Sequence, residues 1–494
     1  MQEKYDFIII GGGVVGCMIA RWLSRYEGSV LLIDKEADIG MGCSSANTAI
    51  VHAGYDPLPG SLKACMNVAG NPMWDQLAGE LDFPFDRRGD YVVAIGEEEL
   101  PGLETLLVQG KKNGVPGMIM LNGAEVRARE KNINPDVSGA LWASTGGICD
   151  PFQVTVAAGE NAVMNGAKVL LNTSFEDFIM EGNRVIGIKT NRGDFGCRWA
   201  INSAGMYSDM VMHKAGVRPD FVIKPKKGEY FVFDRADITI DNVLFPVPSE
   251  KGKGILVTTT LHENTIIGPN SNFIEDKEDT SITKEGMEEI WEGALKLIPS
   301  LSQKHIIASF AGLRPTGNGP CKTPGVVYNN DYIIEIPEEV QGLVNLGGIE
   351  SPGLTSSPAI AQEVIDLLKD AGEEFRVKKD WDPIRPSRSR FRNMSHKDRK
   401  LLVEMDPRFG RVICRCENVT EGEIIAEIHA PIPALTYDAL KRRTWLGTGR
   451  CQGGFDMPRV VKILADELGV SPLEITKRGK GSELLFRPTK QVES

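Results

Sequence analysis

Gly11-x-Gly13-x-x-Gly16 stands between a continuous apolar run, Tyr5 to Ile10, and an apolar-periodic stretch, Cys17 to Tyr26. A run without polar alternation suits a strand buried on both faces, and the stretch after it reads as a helix. Val30 to Ile33 reads as the next buried strand. Strand, glycine turn, helix and strand make a βαβ unit, which commits the chain to a parallel sheet with helices laid over it. In such a unit the first glycine makes the turn and the second lets a pyrophosphate approach the backbone. The third lets helix and strand pack closely, with the helix N-terminus facing the phosphates. Asp34 closes the second strand where a carboxylate can accept a ribose hydroxyl, and Lys35 follows it. The sequence therefore predicts a dinucleotide site at Gly11, Gly13, Gly16, Asp34 and Lys35. The triplet alone does not separate FAD from NAD.

With 494 residues the chain is long enough for two or three domains. A net charge of −11 argues against nucleic acid as the main partner, since phosphate backbones need a basic face. The apolar stretch Phe7 to Ala20 is shorter than the ~20 residues of a membrane span and is interrupted by four glycines. A cytoplasmic protein without a transmembrane segment is expected. Of the nine cysteines, Cys17, Cys43, Cys65, Cys149, Cys197 and Cys321 are scattered and read as small core residues. Cys414, Cys416 and Cys451 cluster near the end.

Further along, Pro151 to Asn165 reads as a helix and Lys168 to Leu171 as a strand. Asn183 to Lys189 with Gly196 to Ile201 read as a β pair. Tyr91-Val-Val-Ala-Ile, Glu229 to Phe233 and Ile255 to Thr260 read as strands, and Pro358 to Asp370 as a helix after a glycine-rich segment. Residues 376–411, rich in proline and arginine, read as an extended arm lying on an acidic body. Thr420-Glu-Gly-Glu423 is a capping box opening a helix, Tyr437 to Leu446 is a second, and Met457 to Leu468 a third that stops at Gly469.

Three small-residue turns follow apolar runs: Gly42-x-Ser44-Ser45-x-Asn47, Asn202-Ser-Ala204-Gly205, and Gly347-Gly348-Ile-Glu-Ser-Pro-Gly353-Leu354-Thr355. Together they suit one large cofactor threaded through a domain assembled from separated segments. Residues 1–370 resemble the D-amino-acid-oxidase-type flavoprotein superfamily. Within it the chain is similar to FAD-dependent glycerol-3-phosphate dehydrogenases and L-2-hydroxyglutarate dehydrogenases. The resemblance is carried by Ser44-Ser-x-Asn47 with His52-Ala-Gly-Tyr55, by Pro59-Gly-Ser-Leu-Lys63-Ala64, by Lys227-Gly-Glu-Tyr230, by Gly312-Leu-Arg314-Pro315 and by Ser351-Pro-Gly-Leu-Thr355. It implies FAD and an α/β fold in which a Rossmann-like FAD-binding domain (1–84, 144–218, 336–375) interleaves with a mixed β-sheet substrate domain (85–143, 219–335). The arm then leads to a small helical Cys-rich domain at 412–480.

Taking a hydride from an alcohol needs a base for the hydroxyl proton and cations for an anionic substrate. His52 is the candidate base, because the resemblance places it on the substrate side of the flavin; the alternative is a histidine that only bonds flavin or backbone. Arg314 is the candidate clamp, since a planar guanidinium suits phosphate or carboxylate, against the alternative of a structural ion pair. Tyr55 and Lys63 are further substrate candidates. Lys63, Lys226 and Lys253 also read as ordinary surface lysines. The substrate is expected to be a small anionic alcohol. The leading expectation is oxidation of glycerol 3-phosphate, with a 2-hydroxyacid dehydrogenase or oxidase, or a non-catalytic flavin and iron–sulfur electron carrier, as rivals.

Cys414-x-Cys416, with Cys451 brought back over two helices, is a metal-site pattern. The stretch resembles the bacterioferritin-associated-ferredoxin-like 2Fe–2S domain, which implies electron transfer to flavoprotein or iron–sulfur partner subunits. That pattern carries a fourth cysteine where this chain has Asp456. Two readings stand: Asp456 ligates iron through oxygen, or it caps the helix that follows, leaving zinc, a labile cluster or no metal.

Overall fold

The apolar run at the start of the chain becomes strand Glu3–Ile10 in an eight-stranded sheet. The structure is a computed structural model that describes residues 3–488 except 218, 237, 249–251, 319–328 and 389, so Cys321 lies outside the described residues. Along the sheet the strands run Phe175–Glu181, Arg184–Thr190, Gly193–Asn202, Glu3–Ile10, Val30–Ile33 and Lys168–Leu170. Leu343–Gly347 pairs in parallel with the end of Gly193–Asn202, and Ile333–Glu335 pairs with it in turn. Glu3–Ile10, Val30–Ile33, Gly193–Asn202 and Leu343–Gly347 point the same way, so Ile10, Ile33, Asn202 and Gly347 end at one edge. The loops after those ends are the glycine triplet, Asp34, the Ser203–Gly205 turn and the Gly348–Gly353 turn. In open parallel sheets the ligand crevice lies at that edge.

Helices Val14–Ser24, Pro151–Met164 and Gly353–Asp370 pack together over one face of this sheet. Their contact buries Cys17, Met18, Ile19, Ala157, Ala158, Ile360 and Val364. The last helix begins at Gly353, five residues before the predicted start, and carries Pro358 inside it. Proline withholds the N–H that the Leu354 carbonyl would accept. The Ser357 hydroxyl donates to that carbonyl instead (2.9 Å), so the helix runs through the proline.

A second, nine-stranded sheet is built from 90–143 and 224–316. It runs Asn272–Phe273, Lys224–Phe233, Thr265–Gly268, Leu256–Thr259, Val243–Pro246, Asp90–Ile95, Val137–Ala143 and Met118–Asn122, with Ile306–Thr316 also on Lys224–Phe233. Most pairs are antiparallel, but Val243–Pro246 and Asp90–Ile95 are parallel, which makes the sheet mixed. Helix Lys284–Leu297 covers it, burying Ile290, Ala294 and Leu297 against Phe233 and Val257.

The arginine-rich arm lies on buried carboxylates. Arg385 Nε donates to Glu160 Oε2 (2.7 Å), and Arg388 donates both to Glu160 (2.7 Å) and to Glu427 (2.9 Å). Within the stretch read as arm, His396–Met405 is a helix, capped by Ser395. None of its residues is buried, so no apolar stripe marked it in the sequence.

The C-terminal module is a hairpin, Val412–Cys414 with Val419–Thr420, followed by helices Glu421–Ile428, Tyr437–Thr444 and Met457–Leu468. The Thr420/Glu423 capping box forms, and Gly469 ends the last helix in the left-handed conformation. Arg443 donates to both oxygens of Asp38 (2.7 and 2.7 Å), joining the module to the body through a buried pair. No helix among the described residues is long and apolar enough to cross a membrane.

Candidate active site

The glycine turn opens onto a cavity of about 1520 Å³, ample for a dinucleotide and a small substrate. A Cβ on Gly16 would lie 2.0 Å from the Gly11 carbonyl oxygen, and Gly11 has φ +108, so neither position accepts a side chain. A Cβ on Gly13 would meet Ser44 Oγ at 3.3 Å. Gly13 caps helix Val14–Ser24 without a side-chain bond, leaving the helix N-terminus facing the cavity, where Ser44 Oγ accepts the Val14 N–H (2.9 Å). Asp34 accepts N–H bonds from Gly12 (2.6 Å) and Glu36 (2.8 Å). Burial nevertheless pushes its carboxyl up to about 6, which a ribose hydroxyl bond would counter. Lys35 stands at the cavity rim, paired with Glu278 (3.2 Å).

From this end the cavity passes Asn47, Ala204 and Gly205 to Gly348, Gly353 and Leu354, and then reaches His52, Lys63 and Arg314. Four predicted residues do not line it. Gly16 serves helix packing. Ser45 turns its hydroxyl to the Met41 and Gly42 carbonyls (3.0 and 2.8 Å). Thr355 is buried, and its Oγ1 accepts the His52 backbone N–H (2.9 Å), fixing the His52 backbone rather than a ligand. Tyr55, predicted to touch substrate, packs instead into the core beside the second sheet, next to buried Asp90. The turn at Gly54 (φ +113) carries it away from the cavity.

His52 is held at both backbone ends. Its carbonyl accepts from Asn67 (3.1 Å) and Asn71 (2.9 Å), and its Nε2 faces Ser351 Oγ (3.3 Å). Burial, and then the Lys253 cation, hold its pKa well below the usual 6.5. The imidazole is therefore neutral at physiological pH and able to take a proton.

Arg314 donates to the backbone carbonyls of Asn270 (2.7 Å), Lys226 (3.4 Å) and Lys227 (3.4 Å). Among the described residues no carboxylate pairs with it, so the structural ion pair does not form. Its charge stays available in the cavity. Lys226 lies beside it with its pKa lowered by burial, and also by Arg314, Lys63 and Lys253, which makes this end of the cavity a positive field. Lys63 and Lys253 are not ordinary surface lysines. Lys63 is buried and bonds Glu350 (2.8 Å), while Lys253 pairs with Asp56 (3.0 Å). Glu350 is the residue the sequence analysis missed. It also accepts from Thr316 (2.6 Å) and Asn330 (3.0 Å), and although burial opposes it, Lys63, the Thr316 bond and Lys226 hold its pKa down to about 2. A carboxylate inside a glycine-rich turn was the available signal.

In the C-terminal module the four donors stand as two pairs: Cys416 against Cys451, and Cys414 against Asp456. Cys414 is buried and Cys416 and Cys451 are half-buried. Asp456 sits at the N-cap position of Met457–Leu468 but makes no capping bond. Its Oδ1 accepts from Tyr437 OH (2.7 Å), and its Oδ2 is buried with no hydrogen-bond partner among the described residues. The helix-cap reading is thus not met, and the carboxylate stands beside the Cys414 thiol. Two donors per iron is what a two-iron centre needs. Among the described residues no group of three or more His, Cys, Asp or Glu is arranged around a single metal ion.

Residues 6–367 match the family described as FAD dependent oxidoreductase. The chain belongs to that family. As an FAD-dependent oxidoreductase it takes FAD, and the residues present fit it: the glycine turn and the helix N-terminus after Gly13 would hold the pyrophosphate and Asp34 the ribose. Residues 412–466 match the BFD-like [2Fe-2S] binding domain. Glycerol 3-phosphate dehydrogenase of Caloramator mitchellensis is 42% identical over 98% of this chain and 99% of its own length. L-2-hydroxyglutarate dehydrogenase of Arabidopsis thaliana is 29% identical over 74% of this chain and 83% of its own. Among solved structures, L-alpha-glycerophosphate oxidase of Mycoplasma pneumoniae with FAD bound superposes with a TM-score of 0.72 at 30% identity, covering 78% of this chain and 99% of that one.

Proposed function

We propose that this FAD-dependent oxidoreductase converts sn-glycerol 3-phosphate to dihydroxyacetone phosphate and passes the electrons to a flavoprotein or iron–sulfur partner. The observation that carries the reading is Arg314, a guanidinium with no carboxylate partner among the described residues, in the same cavity as a neutral His52. The near full-length similarity to a glycerol 3-phosphate dehydrogenase supports it.

FAD, when bound, supplies the two-electron acceptor at N5. Arg314 receives the phosphate, its fork held in place by three carbonyls, and Lys226 adds a second positive charge. His52 Nε2 accepts the hydroxyl proton as the hydride leaves carbon, and the Thr355, Asn67 and Asn71 bonds keep its backbone from drifting. Lys63 and Glu350 compensate each other and stiffen the wall beside it. In the C-terminal module Cys414, Cys416, Cys451 and Asp456 would hold a 2Fe–2S centre, which would supply a one-electron carrier, with Asp456 offering an oxygen in place of a fourth thiol. The same reading divides the chain into FAD-binding segments 1–84, 144–218 and 336–375, substrate segments 85–143 and 219–335, arm 376–411, and module 412–480.

A 2-hydroxyacid is the second reading, because a guanidinium serves a carboxylate as well as a phosphate and the Arabidopsis relative bears that name. Steady-state kinetics of the FAD-loaded chain with an artificial electron acceptor separate the two. Glycerol 3-phosphate should exceed L-2-hydroxyglutarate in kcat/KM by about 100-fold or more, as expected where a site is built for one anion. Equal or reversed values would overturn the assignment.

A further inference from the structure

Where the C-terminal module meets the body, buried Asp150 and His262 form with half-buried Trp445 a junction that the proposed reaction does not use. Asp150 caps helix Pro151–Met164, and its Oδ2 accepts the Trp445 indole N–H (2.7 Å) and faces His262 Nε2 (3.2 Å). Arg392 donates to His262 Nδ1, which places the imidazole proton on Nε2 and points it at Asp150. The imidazole and indole rings lie 3.6 Å apart between centroids. Trp445 holds this position at φ +67, a left-handed conformation that a bulky side chain adopts only when its surroundings enforce it.

The junction is bonded to both redox sites. On one side, Ala49 lines the flavin cavity, and its carbonyl accepts the N–H of Cys149, the residue before Asp150. On the other, two residues after Trp445, the Gly447 N–H donates to Cys414 Sγ (3.5 Å). A side branch runs from His262 through Arg392 to Glu417 (2.9 Å), the neighbour of Cys416. Three hydrogen bonds therefore connect the flavin wall to a cluster thiol, and the rest of the path is covalent or aromatic. The module is also fixed in place, through Asp38–Arg443 and the Glu160 and Glu427 pairs of the arm, so it needs no swing to receive electrons.

We propose that the Cys149–Asp150–Trp445–Gly447 path, with the His262 ring packed at a tilt against Trp445, is the route by which electrons leave the flavin for the C-terminal centre. The inference rests on the cofactor reading above. Each passage moves one electron from reduced flavin to the oxidised two-iron centre, turning one ferric ion ferrous. Two passages empty the flavin, its protons go to solvent, and an outside one-electron acceptor reoxidises the centre between them. Bonded and π-conjugated atoms lower the barrier to a tunnelling electron relative to a gap through space, and the junction supplies both.

The test uses the full chain loaded with FAD and iron, mixed anaerobically with glycerol 3-phosphate. Flavin bleaching is followed by absorbance and cluster reduction by freeze-quench electron paramagnetic resonance. Trp445→Leu should leave the bleaching rate within about twofold and slow cluster reduction by about tenfold or more, the scale of losing an outer partner of a metal site. Trp445→Phe, which keeps the ring and loses the N–H, should fall between. If Trp445→Leu sheds iron, Trp445→Phe and His262→Gln carry the test through the same ratio of the two rates. Cluster reduction at the wild-type rate in iron-replete variants would overturn the route. A wild-type chain whose flavin bleaches but which shows no cluster signal would overturn the route and the cluster reading together, leaving the dehydrogenase reading intact.

Discussion

Replacing Arg314 by methionine removes the cation while keeping a side chain of similar reach. The guanidinium is already oriented by carbonyls at 2.7, 3.4 and 3.4 Å, so its bond to a substrate anion costs little ordering. A hydrogen bond to a charged group contributes about 1.5–3 kcal/mol. Lys226 remains and retains part of the field, so the loss should be about 2–3 kcal/mol of transition-state binding, or about 30- to 160-fold in kcat/KM. Arg314→Lys keeps charge without the fork and should lose about tenfold. The assay is anaerobic stopped-flow bleaching against glycerol 3-phosphate concentration, normalised to bound FAD. The Asn270 carbonyl loses a partner in the methionine variant, and a thermal scan reads that separate effect. An FAD-loaded Arg314→Met protein within about threefold of wild type would refute the clamp.

Three further outcomes follow from the same geometry. Because the His52 pKa lies below 6.5, the base is neutral from that pH upward. The substrate-bleaching rate should then show no His52-dependent fall between pH 6.5 and 8, and a loss of rate only at lower pH; a limb near 7 that His52→Gln abolishes would contradict this. Asp456→Ala should lower the iron content of purified protein well below that of wild type, whereas Asp456→Cys should keep iron and change the cluster's resonance spectrum. Unchanged iron and spectrum in both would show that Asp456 is not a ligand. Glu160→Leu takes the carboxylate partner from buried Arg385 and leaves Arg388 with Glu427 alone, and should destabilise by about 3–5 kcal/mol, seen as a lowered calorimetric transition; an unmoved transition would show that the arm does not depend on it.

What the sequence shows well is what depends on local backbone chemistry. Gly11 and Gly16 are demanded by a turn and a helix contact within one βαβ unit, and the Thr420/Glu423 box and Gly469 mark helix ends from neighbours alone. Irregular loops are where it fails. Ser45 and Tyr55 sit in motifs that border the cavity, yet outside a strand or helix no period tells which way a side chain turns. Lys63 is buried only because Glu350, far away in sequence, closes over it. The same holds for Asp150, His262 and Trp445, three positions whose meaning appears only when the module docks. Helix His396–Met405 escaped because it buries nothing.

Flavin reduction by glycerol 3-phosphate is read directly from one spectrum. An absorption spectrum of the FAD-loaded chain, recorded without oxygen before and after glycerol 3-phosphate, should show the flavin band bleach, with a residual iron–sulfur band lowered in parallel. An FAD-loaded sample whose flavin band does not change on adding glycerol 3-phosphate would contradict it.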